Sequence, residues 1–223
     1  FLDDDVQLHP ESLTAYAAAR ERHPGRHFFG GPCDAEWERE PPDWLKPLLP
    51  GSARGWAIEE PRGPIADAVF LGSNWAAEAA DILEAGGFDP TRGPGTPSMG
   101  QESDMMHRLV NRGWTGIYVP EALVRHHVPW ERCSPEWTIA RSSRLGASLA
   151  HCCRLTGQST WARAAYYAAC QPLVHARVAI ASLRGDEAAM TRAACKRNRR
   201  AAFIREVVRV RRQDPGASAS GGR

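Results

Sequence analysis

The sequence has no long uninterrupted apolar stretch. Crossing a bilayer takes roughly 20 consecutive apolar residues, and no run in this chain approaches that length. It also has little net charge, +2 over 223 residues, so composition alone indicates no nucleic-acid partner. The apolar fraction of 43% is ordinary for a globular protein and allows a sizeable core.

Cysteine motifs are also missing. None of the cysteines forms a CxxC pair, and no His cluster accompanies them at the spacing of a zinc site. Since adjacent cysteines in a helix do not easily bridge each other, we expect reduced, buried thiols, as in a cytoplasmic protein. The six are Cys33, Cys133, Cys152, Cys153, Cys170 and Cys195.

The chain opens on Phe1 rather than Met, inside what reads as the end of a buried strand at Phe1 and Leu2. We therefore expect a fragment of a longer protein. A helix is predicted up to about Arg22, and a long loop with at most one short strand over 23–64.

Apolar patterning predicts the elements that follow. Residues 66–71 read as a strand, 75–85 as a helix stopped by the Gly pair at 86–87, and 102–112 as a second helix closed by Gly113. Short strands are predicted at 116–119 and 123–128. From Ser134 to about Arg212 the chain is rich in Ala and Arg and predicted to be helical.

Three aspartates, Asp3, Asp4 and Asp5, follow the first apolar residues. Residues two apart in an extended chain point the same way, so Asp3 and Asp5 could share a hard cation such as Mg²⁺ or Mn²⁺. A solvated acidic turn is the plainer interpretation. A phosphatase with a nucleophilic Asp is a further alternative, but its motif requires Thr or Val at the position of Gln7.

A second group of polar residues starts the helix at 102–112. Carboxylates in a first helical turn are stabilised in their ionised form, so Glu102 could accept a proton. Asp104 lies four residues before Arg108, the spacing of a helical ion pair. Plain helix capping explains the same residues.

Two shorter motifs complete the set. Gly72, Ser73 and Asn74 stand at a turn and could either hydrogen-bond a sugar or cap a helix. His126 lies beside His127 near a strand end, where a structural histidine is the ordinary expectation. It gains interest as a ligand only if the aspartates lie close to it.

The order and spacing of these motifs resemble family 2 glycosyltransferases, which have the GT-A fold. Residues 1–6 (FLDDDV) resemble the DxD segment, and 72–74 followed by 86–89 (GGFD) resemble the "GxN … GGFD" stretch. Residues 100–109 resemble the "GED-x-D/E-L-x-x-R-L" helix, and 118–126 the "yvPdA-x-v-x-H" strand pair. The match covers roughly residues 1–144.

The resemblance implies a fold and a chain organisation. The fold class is α/β, a GT-A (Rossmann-like) fold that is incomplete at its N-terminus, because the nucleotide-binding elements preceding the DxD segment are absent. Residues 1–140 would form the C-terminal half of the catalytic domain, 141–212 a helical extension, and 213–223 a disordered tail.

The resemblance also implies an inverting, metal-dependent transfer of a sugar from a nucleotide-sugar to a saccharide or lipid-linked acceptor. Glu102 would be the catalytic base, at a position where the family usually has Asp, and Gln101 stands where the family has Glu. The remaining implied roles are Mn²⁺ or Mg²⁺ binding by Asp3, Asp5 and His126, donor binding by Asp3, Asp4 and Asp5, acceptor binding by Gly72, Ser73, Asn74 and Asp104, and support by Arg108.

The basic region 192–212 carries apolar residues that include Phe203 and Val207. A basic amphipathic helix can lie on anionic lipid, which would place a cytoplasmic enzyme at the membrane face, but a solvated helix packed on the domain is an equal alternative. Nucleic-acid binding is disfavoured because no stacking aromatics accompany the charge. The rival function is a non-catalytic remnant that binds a membrane or protein partner through these helices.

Overall fold

The computed structural model describes residues 1–58, 63–65, 69–93, 96, 99–155 and 157–213. The chain divides into two compact units. The first, here the sheet unit, comprises Phe1–Pro90 and Gly100–Cys133, and the second, the helical unit, comprises Thr91–Met99 and the chain from Ser134 onward.

The sheet unit alternates short strands and helices. Its elements are β1 (Val6–Leu8), α1 (Ser12–Arg22), β2 (His27–Gly30), β3 (Cys33–Trp37), α2 (Gly51–Arg54), β4 (Gly63–Ile65), β5 (Trp75–Ala77), α3 (Ala79–Glu84), α4 (Gln101–Asn111), β6 (Thr115–Tyr118) and β7 (Val124–Val128), with 3-10 turns at Lys46–Leu48 and Trp130–Cys133.

These strands form two small mixed sheets. In one, β7 lies between an antiparallel β1 and a parallel β3. In the other, the order is β4-β6-β2-β5, with β2 and β6 parallel and the two outer strands antiparallel. The α/β class expected from the sequence is therefore present, as a mixed rather than an all-parallel arrangement.

The helix α4 anchors the main core of the sheet unit. Its apolar side chains at i, i+1 and i+4, namely Met105, Met106 and Leu109, are all 0% exposed. They pack against Phe28 and Trp75. The predicted helix and its apolar face are confirmed. Apolar residues at helical spacing form one stripe along α4, and this stripe is buried in the core of the sheet unit.

Two predictions in this unit are wrong. Residues Trp75–Ala77, predicted to begin a helix, form β5, and only Ala79–Glu84 is helical. Trp75 is 1% exposed and pairs with Gly30, so packing on the sheet overrides local propensity. The region predicted as mostly loop contains both β2 and β3, which are too short to show a period.

Two further strand predictions need correction. Phe1 and Leu2 are about half exposed, and Leu2 makes only an isolated bridge to Asn74, while the first strand begins at Val6. Within the predicted strand at 66–71, residues 66–68 lie outside the described part of the chain, and 69–71 have no regular structure. The predicted strands before and after Pro120 are confirmed as β6 and β7.

The helical unit contains α5 (Pro135–Leu155), α6 (Thr160–Leu183) and α7 (Glu187–Gln213), as the predicted helical region requires. α7 packs against both other helices. At Gly146 of α5, an added Cβ would lie 2.1 Å from the Arg199 carbonyl oxygen, so only glycine permits this approach. Gln213, predicted in a disordered tail, ends α7, and 214–223 lie outside the described residues.

The apolar side of α7 is buried inside this unit. Phe203 is 0% and Val207 4% exposed, and both pack with Ala150 and Cys153 of α5. These side chains therefore cannot contact lipid. The interpretation of α7 as a membrane-binding amphipathic helix required such a contact. Among the described residues, no helix combines the length and apolarity needed to cross a membrane, and the six cysteines are all unpaired.

Candidate metal centre

Pairing of β1 with β7 brings the aspartates to His126. Val6 lies opposite His126 in the antiparallel register, and the His127 amide donates a 2.8 Å hydrogen bond to the Asp5 carbonyl. β7 alternates buried and exposed residues, so the side chain of His126 points inward and is 5% exposed. Residues about 120 positions apart in the sequence thus become neighbours.

The ligand atoms of Asp3, Asp5 and His126 all lie within 4.8 Å of one another. Within this group, His126 Nε2 lies 3.3 Å from Asp5 Oδ1. These are the three residues that the sequence proposed as metal ligands, and the structure brings them together. Asp4, between the two aspartates, is exposed and does not belong to the cluster.

Electrostatics within the cluster favour a cation. Partial burial raises the pKa of Asp3, and the neighbouring carboxylates of Asp5 and Glu102 raise it further. Burial lowers the pKa of His126, although Asp5 opposes this effect. A neutral imidazole keeps a lone pair for a metal, and a bound cation would offset the repulsion among the carboxylates.

The donor set suits Mg²⁺ or Mn²⁺. Opposite ligands of an octahedral Mg²⁺ stand about 4 Å apart, twice the metal–oxygen distance, so small side-chain rotations would close the observed spread. Two carboxylates are the hard ligands that these ions prefer, and an imidazole is compatible with Mn²⁺. The buried His126 Nδ1 has no hydrogen-bond partner among the described residues.

Arg132 completes the surroundings of Asp5. Its Nη1 donates a 3.0 Å hydrogen bond to Asp5 Oδ2, which leaves Oδ1 directed at His126. This charge-assisted hydrogen bond restricts the rotation of the Asp5 carboxylate. Sequence reasoning missed Arg132, because a single arginine in a 3-10 turn after β7 carries no motif.

Glu102 borders this cluster from the start of α4. Its carboxylate is close enough to Asp3 to affect that residue's pKa. Gln101 Nε2 donates a 3.0 Å hydrogen bond to Glu102 Oε1. On the other side, a Cβ added to Gly72 would lie 2.9 Å from Glu102 Cγ and Cδ. The Gly72 backbone and the Gln101 amide thus hold the carboxylate beside the three candidate ligands.

The other predicted acceptor-binding residues occupy buried positions. Ser73 is 3% and Asn74 0% exposed. Asn74 Nδ2 donates to the carbonyls of Pro32 and Ala122 at 2.8 and 2.6 Å, and its Oδ1 accepts from the Tyr16 hydroxyl at 2.7 Å. With both amide hydrogens donated and the side chain fully buried, Asn74 ties three segments together and presents no polar group at the surface for a sugar.

Replacing Asn74 by Ala is expected to lower the free energy of unfolding by about 3 kcal/mol, because two carbonyls and a hydroxyl lose their partner in a buried place. Urea denaturation would measure the loss. The matched control is Asn111→Ala, at an exposed residue ending α4, for which a change within about 0.5 kcal/mol is expected. Equal effects at both positions would contradict the assigned role.

Asp104 and Arg108 brace the turn after α3. Asp104 is 3% exposed, and its Oδ2 accepts from Arg108 Nε at 3.0 Å. Arg108 in turn donates to the carbonyls of Ala85 and Gly87 at 2.7 and 2.8 Å. The predicted ion pair is confirmed, and Asp104 is directed at this arginine, so its geometry favours support of the turn over contact with an acceptor.

A cavity of about 420 Å³ opens elsewhere in the sheet unit. Its lining includes Asp34, Glu36 and Arg125. Because side chains alternate along β7, Arg125 faces away from His126, and the cavity does not adjoin the candidate metal cluster. The cavity and the candidate metal cluster are therefore separate features of the sheet unit.

Comparisons with protein-family models, with curated proteins and with solved structures found no match for this chain. The candidate site consequently rests on its own geometry: two carboxylates and an imidazole that converge, a further carboxylate beside them, and an arginine that orients one ligand.

Proposed function

We propose that this chain is part of a metal-dependent, inverting glycosyltransferase of the GT-A, family 2 type. The observation that carries the proposal is the convergence of Asp3, Asp5 and His126 within 4.8 Å, with Glu102 beside them. These residues come from three separate motifs of the resemblance. Their convergence in the folded chain supports the resemblance.

Asp3, Asp5 and His126 would hold Mn²⁺ or Mg²⁺. When bound, the cation supplies charge neutralisation for the diphosphate of a nucleotide-sugar and so makes the nucleoside diphosphate a better leaving group. Arg132 keeps Asp5 oriented by its hydrogen bond to Oδ2 and adds positive charge beside the diphosphate. Asp4 is exposed next to this site, and the resemblance implies that it contributes to donor binding.

Glu102 is the proposed base. Its carboxylate takes the proton of an acceptor hydroxyl while that oxygen bonds to the anomeric carbon and the bond from that carbon to the phosphate oxygen breaks. The nucleoside diphosphate leaves from the opposite face, so the configuration inverts without a covalent intermediate. The partners are therefore a nucleotide-sugar donor and a saccharide or lipid-linked acceptor, in a transferase that need not bind nucleic acid.

The direct test uses the full-length gene product with Mn²⁺ and a panel of nucleoside diphosphate sugars. We expect release of the nucleoside diphosphate, loss of activity with a chelator, and a product of inverted anomeric configuration by NMR. A retained configuration, or donor turnover that is indifferent to the chelator, would contradict the mechanism. Metal binding without any donor turnover would favour a different use of the cluster, and absence of both would favour the non-catalytic remnant.

Gly72→Ala tests the position of the proposed base. The new Cβ would lie 2.9 Å from Glu102 Cδ, so the carboxylate must move. Since a misplacement of about 1 Å can cost on the order of 100-fold in rate, we expect a large fall in kcat with little change in thermal stability. Steady-state kinetics and a melting curve would measure both.

Gly51→Ala is the matched control for this change. Gly51 lies in α2, and the nearest atom to its added Cβ is the tip of the flexible Leu71 side chain at 3.1 Å. We expect kcat to stay within about twofold of the parent, because the tip of the Leu71 side chain can give way without a shift of the backbone at Gly72. A similar loss in both variants would show that Gly72 acts through stability rather than through Glu102.

A further inference from the structure

The outward side of α6 is apolar along its whole length. Ala164, Val174 and Ala181 are its buried residues and face the rest of the bundle. At 100° per residue, the opposite side carries mostly apolar residues, and the exposed Tyr166, His175, Arg177 and Ser182 border it. The apolar residues are Trp161, Ala162, Ala165, Ala168, Ala169, Pro172, Leu173, Ala176, Ala179, Ile180 and Leu183, which we call the α6 outer face.

Several large side chains of the α6 outer face are well exposed. Leu183 is 89%, Leu173 56%, Ile180 48% and Trp161 40% exposed. Over 24 residues the helix extends about 36 Å, so the apolar surface is long as well as continuous. Large contiguous apolar patches on a soluble domain mark an interaction site. Ordinary solvated helices would carry charges on this side.

The helical segment that carries this face is strongly positive. Residues 134–213 contain fifteen Arg and Lys against four Asp and Glu, a net charge of +11, whereas 1–133 carry a net charge of −9. The sequence of α6 contains no acidic residue. Although the net charge of the whole chain is close to zero, its helical segment is strongly basic. A basic segment favours an anionic partner.

A basic cavity adjoins the α6 outer face at its C-terminal end. This cavity of about 390 Å³ lies between the end of α6 and the start of α7. Its lining includes four cations, Arg177, Arg184, Arg192 and Lys196, against one acid, Asp186, and it shares Ile180 with the apolar face. An apolar surface beside a cationic recess matches the two parts of a phospholipid, the acyl chain and the phosphate headgroup.

We propose that the α6 outer face docks on an anionic phospholipid bilayer. The helix would lie in the plane of the interface, with Leu173, Ile180 and Leu183 among the acyl chains and the cavity cations on lipid phosphates. A symmetric dimer that joins two α6 outer faces fits less well, because two segments of charge +11 repel each other. Nucleic acid fits less well too, since its phosphates could occupy the cationic cavity but would leave the apolar α6 outer face uncovered. This inference is independent of the proposed catalytic function.

Co-sedimentation of the full chain with vesicles tests the proposal. We expect binding to phosphatidylcholine vesicles that contain about 30% phosphatidylglycerol and little binding to phosphatidylcholine alone, since each cation near an anionic surface adds to affinity. Raising the salt from about 0.1 M to 1 M should weaken the binding, because the Debye length falls from roughly 10 to 3 Å. Equal binding to both kinds of vesicle, or none to either, would overturn the proposal.

Two double variants locate the contact on α6. Ile180→Glu with Leu183→Glu should reduce the partition coefficient on the order of 100-fold, because two apolar side chains no longer enter the acyl region. Arg177→Gln with Arg184→Gln should reduce it roughly 30-fold, or about fivefold per cation. All four residues are exposed or at a cavity rim, so the fold should survive, which circular dichroism would check.

Matched controls come from the sheet unit. Leu83→Glu changes a leucine that is 76% exposed, and Arg22→Gln with Arg39→Gln removes two exposed cations there. We expect vesicle binding close to that of the parent in both. Equal losses of vesicle binding in the controls would overturn the proposal in favour of general electrostatics. If the chain instead forms a concentration-dependent dimer that Ile180→Glu with Leu183→Glu abolishes, and does not bind vesicles, the face binds a second copy, which also overturns the proposal.

Discussion

Replacing Glu102 by Gln in the full-length protein is expected to lower kcat by about 10²–10⁴-fold, the usual contribution of a general base. The amide is nearly isosteric with the carboxylate and keeps an oxygen for the hydrogen bond from Gln101 Nε2, so the local packing against Gly72 should persist. Donor binding should be retained because Glu102 is not one of the three clustered ligands. Steady-state kinetics together with donor titration would separate the two effects.

Two companion variants sharpen this test. Glu102→Asp keeps a carboxylate on a shorter side chain and should recover part of the rate, because the family resemblance has Asp at this position. Glu21→Gln makes the same chemical change at an exposed site on α1 and should leave kcat unaltered. Near-normal turnover in the Glu102→Gln variant would remove Glu102 as the base, and a parallel loss of donor binding would indicate a metal or donor role instead.

Helical parts of this fold could be predicted from the sequence because their signals are long. α4 shows an apolar stripe at Met105, Met106 and Leu109, and Gly113 marks the chain reversal after it. The helical region from Pro135 onward is equally readable from its composition. In each case the spacing of apolar residues or a stop signal is readable over ten or more residues. The residues that this spacing predicts to be buried are those that the tertiary structure buries.

Short strands and helix faces could not be predicted in the same way. β2 has four residues and β5 three, too few to display alternation, and Trp75 becomes a strand residue only because the sheet buries it. The sequence also indicates α7 as the basic amphipathic helix. In the structure, packing against α5 and α6 buries Phe203 of α7, and the exposed apolar face belongs to α6. Which face of a helix is exposed depends on the neighbouring helices, and the sequence of one helix does not specify these.

The candidate site shows the same division. Two aspartates at i and i+2 and a histidine in a later strand are readable as possible ligands, and they do converge. The hydrogen bond of Arg132 to Asp5 and the contact of Gly72 with Glu102 depend on the meeting of distant segments, which no local pattern encodes. Local motifs therefore identify the candidate reactive groups, whereas the groups that hold them in place emerge only from the tertiary structure.

Metal affinity should depend strongly on Asp5 and His126. Asp5 Oδ1 and His126 Nε2 lie 3.3 Å apart, close enough for one ion to bridge them. Outer partners of metal ligands typically contribute 10–100-fold in affinity, so loss of a direct ligand in Asp5→Asn or His126→Ala should weaken Mn²⁺ binding by more than roughly 100-fold. The fall in the free Mn²⁺ signal in electron paramagnetic resonance measures the affinity without any substrate.

Asp4→Asn provides the matched control, since Asp4 is adjacent in sequence, carries the same charge and lies outside the cluster. If affinity came only from the local negative charge of three aspartates, the three variants of Asp3, Asp4 and Asp5 to Asn would weaken binding alike, and His126→Ala would have little effect. If one ion is shared by the three ligands, we expect the Mn²⁺ affinity of Asp4→Asn to stay within about threefold of the parent. Substitution of Asp3, Asp5 or His126 should each weaken binding strongly, because a cation gains most from groups that coordinate it directly.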